Sequence, residues 1–193
     1  MFSNIVSPPI MGAILGIAVG LYERPSLNGF LWAALYGLLI SLLPILFIVY
    51  MIRTGRVVEL HMTNRRERYL PYLIGIGCAL AVYLFVQFFS GPILIGCLAL
   101  LNMVQFASLG LINFFWLVSF HTTAMTATLM ISLLLFGIWT LAITVPLLIL
   151  VAAVRLYLRR HSSAQVLGGV ALGASTVILM VAFGCFTDLN LTF

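Results

Sequence analysis

Long apolar runs separated by short polar stretches fill almost the whole chain, and the lengths of these runs predict its elements. Runs of about 20 apolar residues match the helix needed to cross a bilayer core, where every backbone polar group must be satisfied internally. Polar residues separate the runs clearly at YERPS and at 53–69, whereas only Gly, Pro or Trp marks the divisions at SGP and GIW. We predict an all-α polytopic transmembrane bundle of about six to seven spans. The candidate spans cover approximately 5–22, 28–52, 71–89, 92–113, 120–136, 140–157 and 164–185.

The composition supports a membrane protein and argues against other classes. Hydrophobic residues make up 64% of the 193 residues and charged residues 7%, whereas soluble domains carry about 25% charged residues. We predict one integral membrane domain over 1–193, multi-pass in the cell membrane, in which two spans at about 5–52 precede a core at about 53–185. All nine basic residues are arginines in a few clusters, which argues against binding to nucleic acid.

The distribution of arginine predicts an orientation. With seven spans, every arginine except Arg24 falls at one end of the bundle, which we call the arginine end. The positive-inside rule places this end in the cytoplasm. Arginines that bind a substrate, however, are not independent reporters of topology.

Cysteine and glycine positions predict packing rather than chemistry. Cys78, Cys97 and Cys185 lie in apolar stretches, at spacings that suit neither a zinc site nor a disulfide framework. We predict that they are small buried apolar residues. Glycines repeat every four residues in the first and last spans, a spacing that lets helices approach closely. Packing within the chain is the favoured interpretation and a homodimer face is the alternative, for Gly12, Gly16, Gly20, Gly169 and Gly173.

The polar side chains that could carry chemistry gather at the arginine end. Guanidinium groups bind phosphoryl oxygens in a bidentate manner and stay charged at every relevant pH. A neutral imidazole can attack phosphorus, and a second imidazole can protonate the departing oxygen. The four acidic residues are scattered over the chain, so we expect neither a carboxylate-bound metal nor another cofactor. The residues concerned are Arg53, Arg56, His61, Asn64, Arg65, Arg66, Glu67, Arg68, Ser119, His121, Arg155, Arg159, Arg160, His161 and Gln165.

Spacing sharpens the prediction for the last cluster. His161 and Gln165 are four residues apart and share a face on a helix, so Gln165 is placed to accept a hydrogen bond from one ring nitrogen of His161. Arg155 lies six residues before His161 and does not share its face on a continuous helix. A helix end between them would bring both to one phosphate.

Three segments resemble the signatures of the type 2 phosphatidic acid phosphatase (PAP2) superfamily. The stretch RLYLRRHSSAQ, 155–165, is similar to the third signature, SRxxxxxHxxxD, with the same spacing from arginine to histidine. VSFH, which ends at His121, resembles the second signature, PSGH, and TNRRERYLP, 63–71, resembles the first, KxxxxxxRP. The resemblance covers about 60–170, and the signatures come in the order of the family.

The resemblance implies a PAP2-like core and roles for individual residues. His161 would be the nucleophile that forms a phosphohistidine, and His121 would protonate the leaving group. Arg155 would hold the phosphoryl oxygens, and Gln165 would orient His161. Phosphate binding would be completed by Arg65, Arg66, Arg68 and Ser119.

The sequence departs from the family pattern at several positions. Gln165 replaces the usual Asp, and a neutral amide orients an imidazole without stabilising an imidazolium as a carboxylate does. No lysine is present, Leu70 stands before Pro71 where the family has Arg, and Val118 and Phe120 replace Pro and Gly. With these departures, the resemblance still implies a metal-independent membrane phosphatase, a hydrolase acting on a lipid phosphate or an isoprenoid diphosphate. This is the function that we predict.

Other functions stay open at this point. A headgroup transferase with the same phosphohistidine chemistry is the second enzymatic hypothesis, and a non-catalytic lipid-phosphate binding protein is the hypothesis from another class. A small transporter is the last, but no ionisable residue lies in the middle of a predicted span. Arg159 and Arg160 are predicted to be interfacial anchors, His61 to be a solvated loop residue, and Asn102 and Gln105 to contact protein within a span.

Overall fold

The computed structural model describes residues 8–57 and 64–187, and within these ranges the chain is helical and contains no strand. Two short 3₁₀ turns lie at Arg65–Arg68 and Ile138–Thr140. His61 lies outside the described residues. The helices are α1 Pro8–Glu23, α2 Leu27–Arg53, α3 Tyr69–Phe88, α4 Ile93–Ile112, α5 Phe120–Phe136, α6 Leu141–Tyr157 and α7 Ser163–Ala182.

The helices coincide with the predicted apolar runs, so the all-helical, membrane-compatible architecture is confirmed. Five segments are long and apolar enough to cross a membrane. The remaining two, α1 and α5, are apolar but have only 16 and 17 residues. The number of membrane crossings therefore stays a prediction. The five long segments are Leu27–Arg53, Arg65–Phe88, Ile93–Ile112, Ile138–Tyr157 and Ser163–Ala182.

Helix α2 contains a wide turn next to the proline in its middle. Residues Gly37–Leu42 form a π-helix between two α-helical halves, and Pro44 is the second residue of the half that follows. Proline lacks an N–H group, and its ring clashes with the carbonyl group four residues earlier in a regular α-helix. A π-turn at this point widens the backbone and accommodates the ring. The disturbance at Pro44 thus takes the form of a π-helix.

The repeated glycines pack inside the chain. A Cβ atom on Gly16 would overlap the Tyr36 ring of α2, and one on Gly20 would lie 2.8 Å from the carbonyl oxygen of Gly29. A Cβ on Gly173 of α7 would lie 2.9 Å from Cβ of Thr126 of α5. These glycines therefore allow helices within the chain to approach closely, and a homodimer through the same faces stays a prediction.

The prediction that the cysteines form no disulfide is wrong. Cys97, in the second turn of α4, is bonded to Cys185, with Cα atoms 5.7 Å apart, whereas Cys78 is a buried free thiol. Gly184, at φ 85°, ends α7 and turns the chain so that Cys185 reaches α4. The two cysteines are 88 residues apart, and their encounter depends on the packing of two distant helix ends, which spacing alone does not reveal.

The end of the bundle opposite to the arginine end is held by Glu23 and Arg24. Both Glu23 carboxylate oxygens accept hydrogen bonds at the start of α4, from Ile93 N (2.6 Å) and Leu94 N (2.7 Å). Arg24 Nη2 donates to the carbonyl oxygen of Ser90 (3.0 Å). A carboxylate at a helix N-terminus satisfies N–H groups that have no partner within the helix. This polar pair therefore fixes the turn between α3 and α4.

Candidate functional site

A cavity of about 460 Å³ opens at the arginine end and extends between the helices. His121, His161, Arg68, Arg155 and Arg160 line its polar part. Among the described residues, no acidic side chain lines it. Its inner part is mainly apolar and is lined, among others, by Leu15, Tyr36, Ile40, Ser41, Pro44, Ile45, Leu98, Leu101, Asn102, Gln105, Phe106 and Ile131.

The end of α6 brings Arg155 and His161 to the same cavity. The N–H of Arg160 donates to the carbonyl oxygen of Arg155 (3.1 Å), and the N–H of Arg159 to that of Leu156 (2.9 Å). This pair of bonds, with Arg159 in the left-handed region at φ 52°, is a Schellman motif. The reversal returns the chain toward the last turn of α6, where the Arg155 side chain is only 3% exposed. The six-residue spacing thus corresponds to a helix end.

A capping box at the start of α7 fixes the ring of His161. Ser162 is the N-cap: its Oγ accepts from Gln165 N (3.3 Å), while Gln165 Oε1 accepts from Ser162 N (3.1 Å). Because a backbone N–H can only donate, the Gln165 amide must turn its oxygen toward it. The same oxygen lies 3.2 Å from His161 Nδ1. In neutral His161 the proton therefore sits on Nδ1, and Nε2 keeps its lone pair.

The surroundings of His161 favour the neutral imidazole. Burial lowers the pKa of His161 to about 4, against 6.5 for an unperturbed histidine. The hydrogen bond that His161 Nδ1 donates to Gln165 opposes this shift, and the positive charges of Arg68 and Arg155 add to it. At neutral pH the ring is therefore uncharged and able to act as a nucleophile.

Contacts between α5 and α7 set the position of His121 relative to His161. Ser119 N donates to the carbonyl oxygen of Gln165 (3.2 Å), and Thr122 Oγ1 donates to that of Val166 (3.2 Å). A Cβ on Gly169 would come within 2.6 Å of the Ser119 carbonyl oxygen, so only glycine permits this close approach. His121, the second residue of α5, thereby lines the same cavity as His161, which lies just before α7.

Ser119 does not line the cavity. Its side chain is fully buried, and its Oγ caps α5 by accepting from Thr122 N (3.5 Å). Its carbonyl oxygen accepts from Thr123 Oγ1 (3.0 Å) as well. The predicted phosphate contact of Ser119 is therefore replaced by helix capping, which is the usual role of serine before a helix.

The RRER turn supplies one arginine to the cavity. Arg68 lines the cavity, whereas Arg65 and Arg66 are exposed and lie outside its lining. Arg65 Nη1 instead donates to the carbonyl oxygen of Phe115 (3.1 Å). In a 3₁₀ turn, side chains three residues apart lie on the same side, so those of Arg65 and Arg68 are one turn apart on one side. Of the two, only Arg68 lines the cavity. The structure thus separates three arginines that the sequence grouped as phosphate ligands.

Several residues at the site were missed or placed elsewhere by the sequence. Asn113, 2% exposed, donates through Nδ2 to the carbonyl oxygen of Arg65 (3.0 Å) and so docks the RRER turn on the end of α4. As the last residue of the predicted span 92–113, it gave no signal of this role. Arg160, predicted to be an interfacial anchor, lines the cavity. The predicted contact of Asn102 and Gln105 with protein is confirmed, because they donate to the hydroxyl groups of Tyr36 and Thr176, and both also line the cavity.

Within the described ranges, no group of three or more His, Cys, Asp or Glu residues is arranged to hold a metal ion. Comparison of the chain with protein-family models, curated proteins and solved structures gives no match.

Proposed function

We propose that the protein is a membrane-embedded phosphatase that removes phosphate from a lipid phosphate or an isoprenoid diphosphate through a phosphohistidine. The observation that carries this proposal is the convergence of two histidines and three arginines on one cavity whose inner part is apolar. The arginines match a phosphoryl group at the interface, and the apolar interior matches a hydrocarbon chain.

The first step is the transfer of the phosphoryl group to His161. The Nε2 lone pair attacks phosphorus, a P–N bond forms, and the P–O bond to the lipid breaks. His121, in its protonated form, gives its proton to the departing oxygen. Arg155, Arg68 and Arg160 stabilise the negative charge that is spread over the phosphoryl oxygens in the transition state.

The second step releases phosphate. A water molecule attacks the phosphorus of phospho-His161, His121 accepts one of its protons, and the P–N bond breaks. Inorganic phosphate leaves, and His161 is again neutral with an unprotonated Nε2. Gln165 keeps Nδ1 protonated in both steps, which leaves Nε2 as the reacting atom.

The resemblance to the PAP2 signatures supports these roles for Arg155, His121 and His161. Gln165, at the position where the family has Asp, provides orientation without a negative charge. This difference favours a nucleophile that is neutral before attack, in keeping with the low pKa of His161. A transferase would use the same first step with an alcohol as acceptor, and a binding protein would use the same cavity without turnover.

The proposed orientation places the arginine end in the cytoplasm. The arginine bias supports this orientation, and the Cys97–Cys185 disulfide lies toward the opposite end, beside the start of α4 and the end of α7. Disulfides persist in oxidising compartments outside the cytoplasm, so this second observation is independent of the arginines. Cysteines introduced singly at Arg56 and Asn28 can be tested with a membrane-impermeant thiol reagent. Labelling of Asn28→Cys from outside, with Arg56→Cys protected, is expected, and the reverse pattern contradicts this orientation.

Phosphate release by the purified protein tests the proposed activity. Phosphatidic acid, farnesyl phosphate and farnesyl diphosphate are supplied in detergent micelles with a chelator present. We expect release by the native chain and none by His161→Ala, which still binds the lipid. Binding without turnover by the native chain rejects the phosphatase in favour of the binding protein. Strict dependence on an added divalent ion rejects the metal-independent mechanism.

A further inference from the structure

The cavity ends inside the bundle, at a floor to which four helices contribute. On each of these helices the described lining stops partway along the helix, and the next residue on that face belongs to the packed core. Val19, Ile95 and Leu135 are such residues, each about one turn further from the arginine end, and all three are buried. The last lining residues, which we call the floor, are Leu15 on α1, Tyr36 on α2, Leu98 on α4 and Ile131 on α5.

Tyr36, the largest side chain of the floor, is held from two neighbouring helices. Its ring lies against Gly16 of α1, where a Cβ atom would overlap it. Its hydroxyl oxygen accepts a hydrogen bond from Asn102 Nδ2 of α4 (2.8 Å), and the same Nδ2 donates to the carbonyl oxygen of Leu98 (2.8 Å). The side chain is only 1% exposed. Packing on one side and a hydrogen bond on the other therefore fix the ring across the inner end of the cavity.

The helices give the depth of this floor below the arginine end. Asn102 lies ten residues before Ile112, the last residue of α4, which corresponds to about 15 Å along the helix. Ile131 lies eleven residues after Phe120, the first residue of α5, which corresponds to about 16 Å. An extended chain advances about 1.2 Å per bond, so a depth of about 15 Å takes about a dozen carbon atoms.

We infer that Tyr36 is a specificity-determining residue, which sets the longest tail that the site accepts at about a dozen carbon atoms in an extended chain. A longer tail must bend back or displace a buried side chain, and insertion of extra methylene groups into a packed interior is unfavourable. The inference rests on the proposed function, since it assumes that the phosphoryl group lies among Arg155, Arg68 and His161.

The experiment compares alkyl phosphates that differ only in the length of the tail. Phosphate release is measured for octyl, dodecyl and hexadecyl phosphate in micelles of one detergent. For the native chain we expect kcat/KM to be about tenfold lower for hexadecyl than for dodecyl phosphate, the effect of forced overpacking. Tyr36→Leu removes the ring and should bring these two values within about twofold of each other. Tyr36→Phe keeps the ring and should keep the limit.

Two further variants control for folding and for changes elsewhere on the helices. Ile131→Ala removes a part of the floor that a different helix supplies, and it should relax the limit in the same direction as Tyr36→Leu. Leu46→Ala is the matched control, because Leu46 is exposed on α2 and lies outside the cavity lining, so the native ratio should be kept. An unchanged ratio in folded Tyr36→Leu and Ile131→Ala overturns the inference, and so does loss of the limit in Tyr36→Phe.

Binding separates failure of the floor from failure of the proposed activity. Calorimetric titration of His161→Ala with the same alkyl phosphates reports tail length without turnover. If the native chain releases no phosphate, but binding to His161→Ala weakens from dodecyl to hexadecyl phosphate and Tyr36→Leu in the same background removes this difference, the floor stands and the phosphatase is rejected. Equal release and equal binding of the dodecyl and hexadecyl compounds overturn the floor and leave the phosphatase in place.

Discussion

The two ends of the bundle use charged residues in opposite ways. At one end, Glu23 and Arg24 bond to backbone groups of the α3–α4 turn and hold two helix ends together. At the other end, Arg155 and Arg68 face a cavity together with His161, and burial lowers the pKa of this histidine, with a further contribution from the two positive charges. The first arrangement is complete without a ligand. The second gathers positive charge around a cavity that no acidic side chain among the described residues lines, and this arrangement favours an anionic ligand.

The role of a charged residue at a membrane interface is thus indicated by the groups that it contacts. Arg24 and Arg155 both follow or end an apolar run, and neither composition nor hydropathy tells them apart. Their partners do: a carbonyl oxygen for Arg24, and a cavity shared with two histidines for Arg155. Substitutions at the two ends should therefore affect different properties, activity at one end and stability at the other.

The largest difference is expected between Arg155→Gln and Arg24→Gln. Loss of the Arg155 guanidinium removes charge stabilisation from the phosphoryl oxygens, so kcat should fall about 10²- to 10³-fold. Arg24→Gln should leave kcat per folded molecule unchanged. Phosphate release, normalised to the folded fraction from size-exclusion chromatography, is the measurement. Equal loss of kcat in the two variants would contradict the assignment of separate roles to the two ends.

A smaller contrast is expected within the RRER turn. Arg68→Gln removes a charge from the cavity and should raise KM about tenfold or more, as expected for a hydrogen bond to a charged group. Arg66→Gln should change KM less than twofold, because Arg66 is exposed and outside the cavity lining. The kinetic constants for phosphatidic acid in the two variants are compared with those of the native chain. A larger effect at Arg66 would reject the assignment of phosphate binding to Arg68.

The pH profile tests the neutral state of His161. Its pKa of about 4 means that the ring stays neutral and nucleophilic down to about this pH, whereas an unperturbed histidine would be protonated below 6.5. The acid limb of kcat/KM assigned to His161 should therefore lie near pH 4. Between pH 6.5 and 4 the unfolded chain binds a proton at His161 that the folded chain does not, so this group lowers stability as the pH falls. Gln165→Asp places a carboxylate beside the ring and should therefore move the acid limb of kcat/KM to a pH about one to three units higher. An unmoved limb in this variant would show that another group titrates.

At the opposite end, Glu23→Gln should change stability rather than chemistry. The variant keeps an acceptor oxygen but loses the charge that interacts with the N-terminus of α4, and we expect a loss of about 1–2 kcal/mol in the free energy of unfolding. Thermal unfolding in detergent gives the shift in Tm. Activity of the folded fraction should equal that of the native chain, and a selective fall in kcat would link this end to the site.

The apolar runs were enough to predict the helices but not the faces that they turn to each other. The predicted span 120–136 coincides with Phe120–Phe136, and 71–89 nearly coincides with Tyr69–Phe88. A helix surrounded by lipid is apolar on every side, so periodicity does not report its rotation. For this reason the packing of Gly169 on α5 and the Cys97–Cys185 pair depended on the structure.

At the site, spacing succeeded where a helix end determined the geometry. The four-residue interval predicted the contact between His161 and Gln165, and the Schellman motif explains the interval from Arg155. Arg65 could not be placed in this way, because its side chain donates to the carbonyl oxygen of Phe115 in a distant segment, whereas the Ser119 side chain caps α5 locally. The chemical roles of the residues in the cavity stay predictions until turnover is measured.

The smallest effect is expected for Arg159, a residue of the arginine end whose side chain is not required for activity. Arg159 is exposed and adopts φ 52°, a conformation that glycine adopts without strain. Arg159→Gly should therefore preserve kcat/KM and raise the free energy of unfolding by about 0.5–1 kcal/mol. Arg159→Val, which is β-branched and disfavours this conformation, should do the opposite and loosen the reversal that positions His161. If Arg159→Gly lost activity and Arg159→Val kept it, the side chain rather than the backbone would matter at this position, and the cavity would contain a fourth functional arginine.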